Sequence, residues 1–283
     1  MNSYIDGVYI RLLFWIQILY KLTPTNLSTA FGLIISMIFD LMLLLLYPKA
    51  VPLPKGRFSG LVYSRKYGVR YAIRAGTDDI YLVLPGREGD VSETILQILS
   101  EGDTYVDVGA NIGCYSIPAS KLVGDNGHII AVEAVPTTAD ALVGNCKLNG
   151  IRNVTVVNRA SWDYDGEIVF SVSSGYYGLA SANGPKNGEL FSVPTARLDD
   201  ICKDFPSIKL IKIDVEGSEI RVLRGARETL SKADKVIIEL SGKSDEALGL
   251  LAVSSFSLRK MEFMKYWLAE RNSTDRRIRN CNA

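Results

Sequence analysis

The distribution of apolar residues divides the chain into a regularly alternating C-terminal part and an N-terminal part with long apolar stretches. Apolar runs of strand length recur at 104–108, 128–133, 154–158, 210–213 and 236–240. Segments with helical spacing of apolar residues lie between them at 112–122, 137–149 and 218–231. Such alternation is typical of a parallel sheet with helices on both faces.

The end of the chain departs from this alternation. After a short helix near 244–252, the runs 255–261 and 266–270 have the spacing of two antiparallel strands. We therefore predict an α/β fold for 101–271, with a Rossmann-like, doubly wound, mostly parallel sheet and a C-terminal antiparallel hairpin. The basic residues at 272–283 are expected to form a frayed tail.

The segment 28–47 is a run of 20 residues with a single charge, Asp40. A helix of that length is about 30 Å long, close to the hydrocarbon thickness of a bilayer. Its eleven Leu, Ile and Phe residues favour insertion by about 5 kcal/mol together, and Asp40 opposes it by about 3 kcal/mol. We expect a transmembrane helix here, preceded by an interfacial amphipathic helix within 1–27. The alternative is a helical arm buried against the soluble domain, with Asp40 paired there.

Basic residues indicate the orientation of this segment. Those that follow the apolar run outnumber those before it: Lys49, Lys55, Arg57, Arg65 and Lys66 against Arg11 and Lys21. The positive-inside rule then predicts a membrane protein whose catalytic domain faces the cytoplasm. Residues 48–100 are expected to be a linker, then short antiparallel strands within 61–84 and a helix at 90–99.

Composition narrows the possible functions. The net charge is +1 and no long basic run occurs, which argues against a nucleic-acid partner. The four cysteines are scattered without a C-x-x-C pair, as expected in a reducing compartment. His128 is the only histidine, so neither a zinc site nor a histidine base is expected.

The strand at 104–108 runs into a loop that contains Asp107, Gly109, Asn111 and Gly113. Glu133 ends the next apolar run, where its carboxylate is placed to accept hydrogen bonds from the hydroxyls of a ribose. The loop lacks the Gly-x-Gly-x-x-Gly of dinucleotide sites and opens with an acid, which favours a cationic nucleoside. S-adenosylmethionine fits this description. The alternative is a glycine turn in an ordinary α/β protein, with Glu133 merely solvated.

A second group of acids follows the strand at 210–213, in the sequence Asp214-Val215-Glu216-Gly217-Ser218-Glu219. The carboxyl ends of parallel strands share one edge of the sheet, so these acids should lie beside the glycine loop. Glu219 has an equal structural explanation in the first turn of the next helix. Asp214 and Glu216 are the candidates for catalysis.

The chain resembles the FkbM-type methyltransferases over roughly 90–271. The resemblance is carried by DVGANIG at 107–113, Glu133, NRAS at 158–161, IKIDVEGSE at 211–219 and VLRGA at 222–226. It implies the fold of class I methyltransferases and dependence on S-adenosylmethionine. It also implies that Asp107, Gly109, Asn111 and Gly113 form the cofactor loop, that Glu133 binds the ribose, and that Ala160 and Ser161 flank the adenine. The family mostly methylates hydroxyls of sugars, polyketides and glycolipids.

We therefore expect an O-methyltransferase that acts on a hydroxyl of a glycan, a glycolipid or a similar membrane-associated acceptor. Methyl transfer to a hydroxyl requires removal of its proton, either by Asp214 or Glu216 acting as a base with a raised pKa, or through Mg²⁺ held by both. Tyr176 and Tyr177 are candidates for stacking on a sugar ring. The alternatives are a membrane-tethered nucleoside-binding module without turnover and, less favoured, a dehydrogenase that modifies nucleotide sugars.

Overall fold

The computed structural model of the protein describes residues 2–46, 55–172, 189–240, 244–263 and 265–272. The described helices are α1 (Asn2–Lys21), α2 (Leu27–Leu46), α3 (Asp79–Leu82), α4 (Asp90–Ile98), α5 (Ser116–Val123), α6 (Pro136–Leu148), α7 (Leu198–Ile201), α8 (Glu219–Arg224), α9 (Arg227–Lys232) and α10 (Ser244–Val253). The described strands are β1 (Leu22–Pro24), β2 (Gly60–Ser64), β3 (Val69–Ile73), β4 (Thr104–Val108), β5 (His128–Val132), β6 (Val154–Val157), β7 (Ala160–Ser161), β8 (Gly166–Val172), β9 (Glu189–Ala196), β10 (Ile208–Ile213), β11 (Ala233–Glu239), β12 (Phe256–Lys260) and β13 (Tyr266–Arg271).

The centre of the fold is a seven-stranded sheet with the order β12-β13-β11-β10-β4-β5-β6. Its five strands from β11 to β6 are parallel, and β13 and β12 complete it as an antiparallel hairpin. The predicted mostly parallel sheet and its C-terminal hairpin are confirmed. The chain proceeds outwards from β4 to β6 on one side and from β10 to β11 on the other. This reversal leaves a crevice at the carboxyl ends of β4 and β10, where ligands bind in such folds.

Two predicted helices differ from the observed ones. The first, expected from residue 112, begins at Ser116, because Asn111 and Gly113 have positive φ values of 51° and 92° and form a turn instead. The second, expected over 218–231, is divided into α8 and α9 around Gly225. A Cβ atom at Gly225 would collide with the carbonyl group of Trp162, so the chain packs closely there.

A second sheet has three strands in the order β7-β9-β8. In the sequence, these strands follow β6 and precede β10. Of the three, only β8 was expected. The predicted loop at 175–188, with Tyr176 and Tyr177, lies outside the described residues, as does most of the expected tail at 272–283.

The N-terminal part forms a small antiparallel sheet of β1, β2 and β3, which includes the strands expected within 61–84. The strand β1 was not expected, because Leu22–Pro24 falls inside the region assigned to an interfacial helix. The predicted apolar helix is α2. Its segment Leu27–Leu44 has a mean hydropathy of 2.1 and is long enough to cross a membrane, by length and composition only. Only 28% of that segment is buried, unlike a core helix.

The helices α1 and α2 pack against each other as a hairpin with Asp40 in their contact. Arg11 donates from Nη1 to Asp40 Oδ1 at 3.0 Å, and Trp15 donates from Nε1 to Asp40 Oδ2 at 2.7 Å. Asp40 therefore has partners, as the alternative of a packed arm required. Those partners lie on α1 rather than on the catalytic domain.

Candidate active site

The crevice at the carboxyl ends of the parallel strands contains a cavity of about 270 Å³. Seven residues proposed from the sequence line it: Gly109, Asn111, Glu133, Ala160, Ser161, Asp214 and Glu216. Two others, Asp107 and Gly113, do not line it. The fold thus brings the two acidic motifs, which are distant in the chain, to one site.

The loop after β4 approaches the loop after β10 very closely at Gly109. Its φ of 79° and the lack of a side chain are both required, since a Cβ atom there would collide with the carbonyl oxygen of Asp214. Gly113 was expected to permit close approach of either a ligand or the neighbouring chain at the start of the helix. Its missing side chain makes room for Leu142 and Ile117, so the close approach observed here is side-chain packing.

Glu133 lies immediately after β5 and is held by backbone donors on both carboxylate oxygens. Asn111 N–H donates to Oε2 at 2.8 Å and Val135 N–H donates to Oε1 at 2.9 Å. Each oxygen keeps a further lone pair that can accept a ligand hydroxyl. Burial raises the pKa of this carboxyl to about 7, although the two backbone hydrogen bonds oppose that shift. Glu133 therefore has the geometry required to bind a diol.

Asp107 lies in β4 beneath the cavity and is fully buried. Its Oδ2 accepts a hydrogen bond from Ser116 Oγ at 2.6 Å, and its Oδ1 lies 3.8 Å from Lys212 Nζ. The expectation that this acid faces a cationic ligand from the loop is not matched by its position, because its charge is directed towards the buried lysine. Asp107 therefore forms part of the floor beneath the cavity, where it contacts Ser116 and Lys212.

The other end of the cavity is formed by β7 and the residue that follows it. Ala160 and Ser161 are buried on the cavity wall, and Trp162 lies beside them. The Ser161 hydroxyl has no hydrogen-bond partner among the described residues, so it is available to a ligand. An apolar wall with one unpaired hydroxyl suits a heteroaromatic base.

Three carboxyl groups meet where β10 and β11 end: Asp214, Glu216 and Glu239. One oxygen from each lies within 4.8 Å of the other two. Such spacing would allow a divalent cation, but an ammonium is already present, since Lys212 Nζ lies 3.1 Å from Asp214 Oδ2. Tyr266 O–H also donates to Asp214 Oδ2 at 3.0 Å. Glu239 was not proposed from the sequence, although an acid at the end of a parallel strand is the same signal that identified Glu133.

The environments of these three carboxyl groups give them different pKa values. Burial would raise the pKa of Asp214, but Lys212 and a hydrogen bond from Glu239 outweigh burial and lower it. Burial and the nearby charge of Asp214 raise the pKa of Glu239. Burial and Asp214 together also raise the pKa of Glu216 to about 7. The expectation of a raised pKa was therefore wrong for Asp214 and holds for Glu216.

The backbone also distinguishes Glu216. It has a φ of 49°, an uncommon value for a residue with a side chain, and Gly217 follows with a φ of 97°. Strained conformations of this kind concentrate at functional sites. The third acid of the motif, Glu219, accepts a hydrogen bond from Gly217 N–H at 2.9 Å, so it stabilises the loop.

Part of the cavity wall comes from the segment before β4, which no sequence motif identified. Tyr115 O–H donates a short hydrogen bond to Glu88, and Arg87 forms an ion pair with the same carboxylate. Asp78 and Tyr81 line the cavity from this side as well. The N-terminal extension is therefore part of the site.

Two other residues considered as chemical groups are poorly suited to catalysis. Cys114 lines the cavity, but burial raises the pKa of its thiol to about 12, so it remains protonated. His128 begins β5 at the opposite end of the sheet, where its ring stacks on Phe205 and its Nε2 contacts Thr155 Oγ1 at 2.8 Å. The sequence had already argued against a histidine base.

The sequence is similar to a known family and to several methyltransferases. A family described as the methyltransferase FkbM domain matches residues 107–273, more than half of the chain. The hexuronic acid methyltransferase AglP of Haloferax volcanii is 26% identical over 185 residues, which are 63% of this chain and 73% of that protein. A protein-L-isoaspartate O-methyltransferase of Methanosarcina mazei is 39% identical over 69 residues, 24% of this chain and 28% of that protein.

Solved methyltransferase structures are similar to about two thirds of this chain. Precorrin-6y C5,15-methyltransferase from Geobacter metallireducens has a TM-score of 0.42 and 16% identity, covering 65% of this chain and 88% of its own. The ribosomal protein L11 methylase from Lactobacillus delbrueckii has a TM-score of 0.40 and 15% identity, covering 66% of this chain and 80% of its own.

Proposed function

This chain belongs to the FkbM methyltransferase family and is an S-adenosylmethionine-dependent methyltransferase, and we propose that it methylates a hydroxyl of a sugar in a glycan or glycolipid. The observation that carries this proposal is the carboxyl of Glu216, which lies on the cavity wall with a pKa raised to about 7. A base with that pKa is suited to accept a proton at neutral pH.

The site fits the methyl donor. Glu133 would accept hydrogen bonds from the ribose hydroxyls, the Ser161 hydroxyl and the wall at Ala160 would contact the adenine, and the loop at Gly109 would lie against the donor. When bound, S-adenosylmethionine supplies a methyl group on a positively charged sulfur. The low pKa of Asp214 keeps a negative charge beside that position. The assignment of Asp107 to cofactor binding stays a prediction from the sequence, and its burial beneath the cavity supports a positioning role instead.

The transfer is an in-line displacement. A bond forms between the acceptor oxygen and the methyl carbon as the bond between that carbon and sulfur breaks, and Glu216 takes the hydroxyl proton. Asp214 and Glu239 share a hydrogen bond and lie beside Glu216 in the cluster of three carboxyls. Tyr176 and Tyr177 remain candidates for contact with the sugar ring.

We infer the class of acceptor from the base in the cavity together with the relative. AglP is named for a hexuronic acid, a sugar that offers both hydroxyl groups and a carboxylate. Glu216 provides a base in the cavity, which a hydroxyl acceptor needs and an ionised carboxylate does not. We therefore assign a hydroxyl, within a uronic-acid-containing or related glycan.

The test is an assay of the full-length enzyme with S-adenosylmethionine and glycans that contain hexuronic acids. We expect acceptor-dependent formation of S-adenosylhomocysteine and a product heavier by one methylene group. The new methyl group should resist mild alkali as an ether does, and release by alkali would indicate an ester and contradict the hydroxyl assignment. Cofactor binding without turnover on any acceptor would support the alternative of a binding module.

We also propose that the N-terminal helices attach the enzyme to a membrane, with the catalytic domain facing the cytoplasm. The support is the length and hydropathy of α2 and the basic residues at 55–66 that follow it. A glycolipid or lipid-linked glycan would then reach the site at the membrane surface.

A further inference from the structure

The two N-terminal helices expose an unusual amount of apolar surface. Of the nineteen large hydrophobic side chains that the described residues expose, thirteen lie on α1 and α2. On α1 they are Tyr9, Leu12, Leu13, Ile16, Leu19 and Tyr20, and on α2 they are Leu27, Phe31, Ile34, Ile35, Ile38, Met42 and Leu46. Exposure on this scale marks a surface that contacts lipid or another protein.

Several polar groups of the hairpin are buried, including its charged pair Arg11 and Asp40. The buried residues recur at heptad-like spacing: Arg11, Trp15 and Ile18 on α1, continued by Leu22 at the start of β1, with Thr29, Leu33, Ser36 and Asp40 on α2. The charge of Asp40 is neutralised there by Arg11. Moving the paired Asp40 into an apolar environment therefore costs less free energy than moving a lone carboxylate. The outer surface can therefore enter hydrocarbon without carrying this charge.

Both flanks of α2 are held by the same domain, which argues against a helix that crosses the bilayer. On the N-terminal side, Thr25 N–H donates to Leu61 O at 3.1 Å, and β1 pairs with β2. Further along, Arg57 N–H donates to Ser36 Oγ at 2.8 Å. The Phe58 ring packs where a side chain on Gly32 would be.

A crossing helix would place Leu46 on the far side of the membrane while Gly56, bonded to Thr77, stays on the near side. The eight residues at 47–54 would then have to return through about 30 Å of hydrocarbon with unpaired backbone groups, which bilayers do not tolerate. A hairpin that enters from one side has no such requirement.

Basic residues lie beside the base of the hairpin. Lys21, Arg65 and Lys66 line a surface cavity of about 450 Å³ together with the exposed ring of Tyr20. Glu93 also lines it and pairs with Lys66, which leaves an excess of positive charge. Cationic side chains next to an aromatic ring and an apolar face are the features of helices that lie in the interface of an anionic membrane. A second protein copy would not require this arrangement of charges.

We propose that α1 and α2 form a monotopic anchor, a helical hairpin that inserts its outer apolar face into one leaflet of an anionic membrane without crossing it. The anchor is continuous with the wall of the active site. Phe14 of α1 stacks on Tyr81 with ring centroids 5.1 Å apart, and Lys21 Nζ donates to Pro85 O at 3.0 Å. The anchor is therefore in direct contact with Tyr81, which lines the active-site cavity. Such an anchor could deliver a lipid-linked acceptor from the membrane to the cavity. This delivery rests on the proposed function, whereas the anchor itself does not.

The first test is flotation of the full-length protein, exchanged out of detergent, with phosphatidylcholine vesicles with and without phosphatidylglycerol. We expect binding that is stronger with phosphatidylglycerol, and a loss of at least about tenfold in the vesicle-bound fraction for the double variant Ile16→Glu/Ile35→Glu. The matched control is Val253→Glu, at a side chain that is 88% exposed outside the hairpin. It should float like the wild type. Both variants should keep their affinity for S-adenosylhomocysteine, which reports folding whether or not the acceptor is known.

The second test separates the anchor from a transmembrane span. Ser28→Cys and Leu46→Cys place thiols at the two ends of α2, and a membrane-impermeant maleimide is applied to sealed membrane vesicles of one orientation. We expect both positions to react from the same face, and reaction from opposite faces would overturn the proposal. A defined dimer in solution that ignores vesicles would also overturn it, by showing that a second copy covers the apolar face.

Discussion

The ammonium of Lys212 lies 3.1 Å from the carboxylate of Asp214, and this ion pair, buried on the lysine side and partly buried on the aspartate side, is at the centre of the site. Lys212 is also the register partner of Asp107 across the neighbouring strand. One lysine thus compensates two acids, Asp107 in β4 and Asp214 just after β10. Burial alone would lower the pKa of Lys212, but Asp214 and Asp107 raise it, so the ammonium persists at neutral pH.

Lys212→Met should destabilise the protein by about 3–5 kcal/mol, because it removes the ammonium that faces both the buried Asp107 and the partly buried Asp214. Urea unfolding followed by circular dichroism measures this loss. Lys209→Met is the matched control, since Lys209 lies on the same strand in a half-exposed pair with Asp234 at 3.5 Å, and its loss should be within about 1 kcal/mol. Similar losses in the two variants would contradict a central role for Lys212.

Glu216→Gln should lower turnover by at least about a hundredfold while leaving cofactor affinity unchanged, since it removes the proton acceptor. In the wild type, kcat/KM for the acceptor at saturating S-adenosylmethionine should rise with pH through about 7, because the raised pKa of Glu216 must be exceeded before it can act as a base. That limb should be absent from the residual activity of the variant. Glu219→Gln, in the same loop, should retain near-normal turnover, because its amide oxygen can still accept from Gly217 N–H.

The sequence predicted several acids that line the cavity but not the shape of the cavity. Glu133, Asp214 and Glu216 were predicted to lie together because acids at the ends of parallel strands meet at one edge. Glu239 satisfies the same rule and should have been found with them. Lys212 could not be found, because its charge has a function only when β10 is known to lie beside β4. The contribution of Asp78 and Glu88 was equally hidden, since it depends on how the N-terminal extension folds over the crevice.

The affinity for S-adenosylhomocysteine should also depend on pH, through the carboxyl group of Glu133. Its carboxylate form accepts two hydroxyl hydrogen bonds, whereas its protonated form can accept fewer, and its pKa is raised to about 7. Affinity for S-adenosylhomocysteine should therefore fall about tenfold from pH 8 to pH 6. Glu133→Gln should bind about 1–3 kcal/mol more weakly at pH 8 and show little pH dependence. Calorimetry at several pH values measures both effects, and equal affinities of the two proteins would remove Glu133 from the site.

A chelator should leave methyl transfer unchanged. The three carboxyls Asp214, Glu216 and Glu239 are close enough for a divalent cation. Lys212, however, already compensates Asp214, and Glu239 retains a proton because burial and Asp214 raise its pKa. Initial rates with EDTA and with added Mg²⁺ measure this directly. Loss of activity with EDTA that Mg²⁺ restores would instead make these acids metal ligands.

Asp78 and Asp79 are adjacent acids at the edge of the cavity, and replacing each by Asn should change the stability of the protein in opposite directions. Asp78 is fully buried and neither of its carboxylate oxygens has a hydrogen-bond partner among the described residues, while Asp79 forms an ion pair with Arg74 at 2.7 Å. Burial and the adjacent Asp79 raise the pKa of Asp78 from 3.8 to about 6. The folded state therefore binds its proton more tightly than the unfolded state, and stability decreases as pH rises from about 4 to about 6.

Asp78→Asn removes this decrease. Relative to the wild type it should be near neutral at pH 4 and more stable by up to roughly 3 kcal/mol at pH 7, the free energy equivalent of the pKa shift. Asp79→Asn should be destabilising at pH 7, because it leaves Arg74 without its carboxylate partner. Urea unfolding of the three proteins across this pH range tests both directions. A destabilising Asp78→Asn at pH 7 would mean that the Asp78 carboxylate has a cationic partner in solution, and the cavity that it lines would be the first place to look for that partner.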